Sequence, residues 1–214
     1  MKSILLGILL VIIIGVGGFV YRNAIEHPSQ PIACPMDAKI CPDGTSVSRE
    51  GLSCTFPTCP PPNVQLTDIG VVFALPAGFV PVSLPDSASV ASYSMPIASS
   101  NDFNSISIRR YAIAASSTAL STIEQTAISG TSGTSISASS FSSAMFGTRR
   151  FTVVSIERFE GVIDTAYYLA RGTDVLRFDA IDRGADWTNP NLDITILPAH
   201  AALIKLLSTL QGEY

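Results

Sequence analysis

After position 64, apolar and polar residues alternate along most of the chain, and the period of that alternation assigns the elements. IGVVFALP (69–76) reads as a short strand ended by Pro76, and FVPVSL (79–84) as a second that pairs with it across Ala77 and Gly78. SISIRRYAI (105–113) alternates at Ile106 and Ile108. The period changes in STALSTIEQTAI (117–128), where Leu120, Ile123, Ala127 and Ile128 share a helical face and Ser117 or Thr118 can cap its start. SISASSF (135–141), RRFTVVSIERFE (149–160), VIDTAYYLARG (162–172) and VLRFDAID (175–182) return to strand spacing. Gly161, Gly172 and Asp174 fall at the junctions of the last three, which predicts an antiparallel meander. Pro198 then opens PAHAALIKLLSTL, a helix whose Leu203, Leu206, Leu207 and Leu210 form one stripe, suited to covering one face of the sheet.

The start of the chain has no such period. From Ile4 to Val20 no residue is charged, and as a helix this run is about 26 Å long, near the roughly 30 Å of a hydrocarbon core. Residues 1–22 are therefore expected to form an uncleaved transmembrane anchor, meeting the membrane through residues 4–21. A cleaved signal peptide fits less well, because the run is longer than the usual apolar region and no small-x-small site follows it. Lys2 opposite Arg22 gives a slight bias for the N-terminus inside.

All four cysteines, Cys34, Cys41, Cys54 and Cys59, follow that run within 26 residues. Their C-x6-C-x12-C-x4-C spacing lacks the close pairs that converge on structural zinc, and two disulfides suit it better. Four cysteines permit three pairings, and spacing alone does not select one; the reading leans to Cys34 with Cys54 and Cys41 with Cys59. Disulfides point to an oxidising compartment, so the bulk of the chain is expected to be extracytoplasmic. A tight turn at Asp43 and Gly44, flanked by Ile40 and Val47, suggests a small hairpin. The expected order is anchor (1–22), linker (23–33), four-cysteine module (34–59), proline spacer (60–63) and globular domain (64–214).

Charge narrows the partners. Residues 64–214 hold nine basic and thirteen acidic side chains, a balance that repels phosphate backbones and argues against nucleic acid. Ser83 to Ser143 holds twenty Ser and five Thr; without mucin-like proline density or an N-x-S/T acceptor, these read as loops and solvent faces of strands.

Three resemblances add to this reading. The string from CPMDAKICPDGT to CTFPTCP resembles a four-cysteine module of bacterial envelope proteins from candidate phyla, a group without an assigned activity, and implies location. Cys41, Asp43, Gly44 and Thr45 are similar to the turn of Kazal-type protease inhibitors, whose contact loop would here lie between Cys34 and Cys41. That family has six cysteines, and the Tyr and Asn it carries after the turn are replaced by Ser46, Val47 and Ser48. FALPAGF (73–79), SISIRRY, TAYYLARG, VLRFDAI and ALIKLLSTL together resemble the PsbP and Mog1 class. That resemblance implies an α+β sandwich, an antiparallel sheet with flanking helices, and an assembly or binding role without a catalytic centre.

Candidate chemistry is sparse. His27 lies in the linker and His200 begins the last helix, so one element cannot offer a histidine pair to a metal. An enzyme would have to use His200 with a serine and Asp193 or Asp186, yet no G-x-S-x-G occurs; His200 reads as a solvated first-turn residue. Trp187 beside Asp182, Arg183 and Asp186 can floor a ligand or partner surface, or lie as a lid over the sheet edge. In Arg109/Arg110 and Arg149/Arg150 adjacent strand residues face opposite sides, giving one outward charge per pair. The expectation is a membrane-anchored binding or assembly module without cofactor or catalysis, with an envelope-protein or cell-wall partner; the alternatives are an envelope enzyme using Trp187 and His200, and a Kazal-like inhibitor.

Overall fold

The computed structural model describes residues 2–26, 33–41, 46–59, 61–98 and 100–212. His27 in the linker, the turn at Asp43, Gly44 and Thr45, and Pro60 of the spacer lie outside the described residues. Two compact units divide the chain: Met1–Ala38 with Ser48–Pro57, and Lys39–Val47 with Thr58–Tyr214.

The first unit contains α1 (Lys2–Glu26). Among the described residues no helix is long and apolar enough to cross a membrane. The helix sequence is interrupted by Gly7, Gly15, Gly17 and Gly18 and carries Arg22 and Glu26 in its last turns. This overturns the expected transmembrane anchor through residues 4–21, and with it the single-pass topology, the membrane localisation and the membrane-anchored function.

Two short strands, β1 (Ala38–Ile40) and β2 (Ser46–Ser48), form a sheet of their own in the cysteine segment. In the first unit Cys34 is bonded to Cys54. The Arg49 guanidinium forks onto Asp37, donating from Nε to Oδ1 at 2.7 Å and from Nη2 to Oδ2 at 2.9 Å, and lies 4.3 Å over the Phe56 ring. With so few apolar residues here, the crosslink and the fork supply order that a core would otherwise give. In the second unit Cys41 is bonded to Cys59.

The rest of the second unit is an α+β sandwich. Its strands are β3 (Val64–Leu66), β4 (Val71–Phe73), β5 (Val80–Pro81), β6 (Ser89–Pro96), β7 (Phe103–Ala112), β8 (Ser142–Phe146), β9 (Arg149–Phe159), β10 (Val162–Ala170), β11 (Asp174–Arg183) and β12 (Gln211–Gly212). Its α-helices are α2 (Ala119–Thr126) and α3 (Pro198–Thr209). Seven strands pair in the order β5-β6-β7-β11-β10-β9-β8, and a smaller sheet runs β12-β4-β3. Among the described residues the strands of both sheets pair antiparallel.

Alternation fixes the layers. One face of the large sheet carries Ile106, Ile108, Phe151, Tyr167, Leu176 and Phe178, which pack with Val71 and Phe73 of the small sheet and the leucine stripe of α3. Leu203, Leu206, Leu207 and Leu210 of that stripe are fully buried, each contributing about 2 kcal/mol of burial. The other face carries Val154, Ala166, Tyr168 and Val175 beneath Ile123 of α2 and Ala127 at its C-cap. The predicted α2 stripe is half right: Leu120 and Ile128 remain exposed. Thr118 caps the helix, its hydroxyl accepting from the Ser121 N–H while the Ser121 hydroxyl accepts from the Thr118 N–H.

The predicted meander is present as β9, β10 and β11, and Glu160 and Gly161 turn between the first two with φ of 48° and 78°. Two assignments change. The segment 79–84 pairs with β6, because the chain crosses from the small sheet to the large one at residues 74–79, where Phe79 donates to the Pro76 carbonyl. SISASSF is a 3-10 turn at Ala138–Ser140, and the strand begins one residue after Phe141.

Candidate functional site

The crossing at residues 74–79 sets two strand edges beside one another. β3 ends the small sheet and β5 ends the large one. Between them lies a groove of about 420 Å³ lined by Val64, Pro81, Val82, Leu84, Val90 and Tyr93, with Asn63, Gln65, Ala91 and Ser92 completing it. None of these residues is charged.

The groove is rigid at its base and apolar at its rim. Tyr93 is buried and meets Phe73 edge to face at 6.1 Å between ring centroids, and burial pushes its hydroxyl above the usual tyrosine range. Asn63 Oδ1 accepts from the Leu75 N–H at 2.8 Å, and Ser92 Oγ lies 3.3 Å from Ser107 Oγ, so both polar side chains have protein partners. At the rim Val82 and Leu84 are 41% and 52% exposed. Sheet edges are ordinarily guarded by charge, and apolar rims beside an edge mark places where another chain can lie.

The residues singled out from sequence hold the fold together. Asp182 is buried, with Oδ1 accepting from the Ala199 N–H at 2.6 Å and Oδ2 from the His200 N–H at 3.1 Å. His200 is 2% exposed, which corrects its reading as a solvated residue; its Nε2 lies 2.6 Å from the Tyr167 hydroxyl. Burial lowers its pKa, against a small opposing effect of Asp193. Trp187 packs on Phe159 at 5.2 Å, and Arg158 donates to the carbonyls of Trp187 and Asn189, so the tryptophan is held as a lid on the end of the meander. Asp186 accepts from the Thr188 hydroxyl at 2.7 Å, and Arg183 is exposed while its N–H donates to Asn104. Asp182 meets the main chain of His200, but no contact joins Trp187 to His200 among the described residues, and the two rings pack on different strands. Among the described residues no three His, Cys, Asp or Glu side chains gather as a metal ion needs.

Sequence reasoning missed a buried ionic chain. Arg109 does not point outward free of partners: it donates to Asp86 Oδ2 at 2.8 Å and to Asp179 Oδ2. Arg177 donates to Asp179 Oδ1 at 2.6 Å and to the Thr126 carbonyl at 2.7 Å, tying β11 to the end of α2. Its pKa is raised: burial is the largest single influence and opposes the charge, but Asp179, Tyr168 and Asp164 together outweigh it. Beside this chain Asp164 has a buried Oδ1 without a hydrogen-bond partner, and burial first, then Asp179, holds its carboxyl well above the usual range against Arg177 and Arg109. The available signal was the in-strand pair Arg177 and Asp179, two residues apart and hence on one face.

The class defined by these features is a disulfide-bearing α+β sandwich with an uncharged groove between two sheet edges. No family model matches the chain, and no curated protein matches it. Among solved structures it is similar to a protein of Bacteroides thetaiotaomicron at 12% identity and a TM-score of 0.41. That match covers 67% of this chain and 45% of the other, so this chain spans less than half of that protein's length. Cyanobacterial PsbP of Synechocystis is similar at 11% identity and a TM-score of 0.41, over 69% of this chain and 89% of that one. At these values neither likeness speaks to what this chain does.

Proposed function

We propose that this chain is a protein-binding domain that takes an extended, uncharged peptide segment of its partner into the groove between β3 and β5. A single observation carries the reading: two unpaired strand edges border one apolar, charge-free groove. An added strand gains main-chain hydrogen bonds from an edge, and alternate side chains gain the apolar floor. The two disulfides favour an oxidising compartment, so the partner is a protein met there.

The test is selection of a displayed random-peptide library against the full chain, followed by titration of the selected peptides. Apolar, uncharged sequences should be selected, and Val82→Asp should weaken them at least about tenfold by placing an unpaired charge in the groove. Hydrogen exchange should slow at residues 64–66 when peptide binds. Selection of charged peptides, or equal affinity for Val82→Asp, would rule the groove out.

A further inference from the structure

A second cavity, of about 490 Å³, opens at the turn between β10 and β11 and is lined by Asp68, Ile69, Arg110, Arg171 and the turn residues Gly172, Thr173 and Asp174. We propose that this cavity binds a compact oxyanion, a carboxylate or a phosphate, through Arg110 with Arg171 behind it. The site is separate from the groove and shares none of its lining residues.

The argument begins with how the cations are held. Arg171 forks onto Asp174, donating from Nε to Oδ1 and from Nη2 to Oδ2, both at 2.6 Å, and its Nη1 donates to the Ile69 carbonyl at 2.6 Å. This arginine is fixed, with its side chain 12% exposed. Arg110 reaches the same carboxylate from β7, donating from Nε to Oδ2 at 2.6 Å, and its Nη1 lies 3.4 Å from the Asp68 carbonyl. Its side chain is 45% exposed, and among the described residues its Nη2 meets no protein acceptor.

The unpaired donor edge of Arg110 then indicates the ligand. Asp174 is buried, and one bidentate arginine already neutralises it. The second guanidinium is not needed for that, so the trio of Asp174, Arg110 and Arg171 carries one positive charge, which Asp68 on the rim balances; the open edge of Arg110, and not a net charge, is what an oxyanion would meet. A guanidinium with one edge anchored and another open to a cavity is pre-organised for an oxyanion, because its planar donors match two oxygens. The Thr173 hydroxyl side chain belongs to the same exposed turn and can add a donor. Asp68 is exposed on the rim and opposes the bound charge, so it limits affinity.

The chemistry is common to a free small anion and to an acidic group on a polymer, and the experiment separates them. The full chain would be titrated calorimetrically at low ionic strength with sodium phosphate, with sodium succinate and with a glutamate hexapeptide. At least one should bind saturably, and affinity should fall as salt rises. Preference for phosphate or succinate over the hexapeptide identifies a free anion; the reverse identifies a polymer. Arg110→Gln should weaken binding about tenfold while Arg171 still holds Asp174, and an unchanged thermal transition would show the fold intact. Should that variant unfold, Arg110→Lys keeps the charge without the fork and is expected to bind about threefold more weakly. Asp68→Asn should strengthen binding, and Val82→Asp in the groove should leave it unchanged. Absence of saturable binding, equal binding by Arg110→Gln, or weaker binding by Asp68→Asn would each overturn the proposal.

Discussion

The carboxylate of Asp182, near the end of β11, accepts a hydrogen bond from the main-chain N–H of His200 at 3.1 Å in the first turn of α3. Its other oxygen accepts from the Ala199 N–H at 2.6 Å. The residue before the helix, Leu197, supplies no side-chain cap, so a strand residue on the sheet does what an N-cap residue does elsewhere. The anchorage also places a negative charge at the positive end of the helix dipole. Asp182→Ala should therefore lower stability by about 2 kcal/mol, and Asp182→Asn, which keeps one acceptor, by about half of that. Chemical denaturation of the two variants checks this; equal midpoints for both and for the unaltered chain would remove the anchorage from the account.

His200 completes the same junction, and its pH behaviour follows from its burial. Its ring stands edge-on to Tyr167 at 5.5 Å between centroids, and burial raises the Tyr167 hydroxyl to about 12, keeping it a neutral donor or acceptor. The His200 pKa is lowered from 6.5, so the unfolded chain binds its proton first as pH falls. Stability is then lost from about pH 6.5 downward, through the lowered folded value, and is constant on this account above pH 6.5. His200→Gln should flatten the loss in that window, as read by denaturant midpoints between pH 4 and 8. A slope that persists unchanged in the variant would assign it to another group.

Much of this architecture was legible where periodicity is local. Ile106 and Ile108, the meander from Arg149 to Asp182, and the stripe from Leu203 to Leu210 announce their faces because strand and helix periods differ. β6 escaped notice because SVASYSMP holds three serines among its eight residues, which reads like the surrounding serine-rich loops. The partnership of β7 with β11 has no local signal, since it joins segments more than sixty residues apart. Arg109 and Asp179 were unreadable for the same reason: whether a strand charge is solvated or buried depends on which strand lies beside it. The groove needs both sheets in place before it exists, and Val64 and Val82 in sequence are ordinary strand residues. Trp187 drew attention as a loop aromatic beside charged residues, and its ring packs on Phe159.

Asp164 offers a test with the opposite sign to His200. Its folded pKa lies well above 3.8, through burial and the nearby Asp179 and Glu157 carboxylates, with Arg177 and Arg109 opposing. Between 3.8 and the folded value the folded state holds a proton that the unfolded state has lost, so stability falls as pH rises through that window. Asp164→Asn cannot ionise. Its stability relative to the unaltered chain should therefore rise from pH 4 towards pH 7, and a difference independent of pH would show that Asp164 is ionised in the fold.

The crosslinks make a prediction that separates the two units. Cys41 and Cys59 are 18 residues apart in sequence, and Cys34 and Cys54 are 20 apart. By loop closure in the unfolded chain each bond is worth about 3 kcal/mol. Intact mass without reductant should lie four hydrogens below the reduced mass, and fragments should link Cys34 to Cys54 and Cys41 to Cys59. Replacing Cys41 and Cys59 by serine acts within the second unit, where Cys41 is 2% exposed, and should lower its unfolding free energy by about 3 kcal/mol. Replacing Cys34 and Cys54 acts within the first unit, where the Glu50 N–H donates to the Thr55 carbonyl at 2.9 Å. Hydrogen exchange at Glu50 should accelerate in that variant, because the turn from Glu50 to Thr55 then depends on Arg49, which forks onto Asp37 and donates to the Cys54 carbonyl at 3.0 Å, and on its own main-chain bonds. Unchanged exchange would mean that the fork, and not the disulfide, sets the order of this unit.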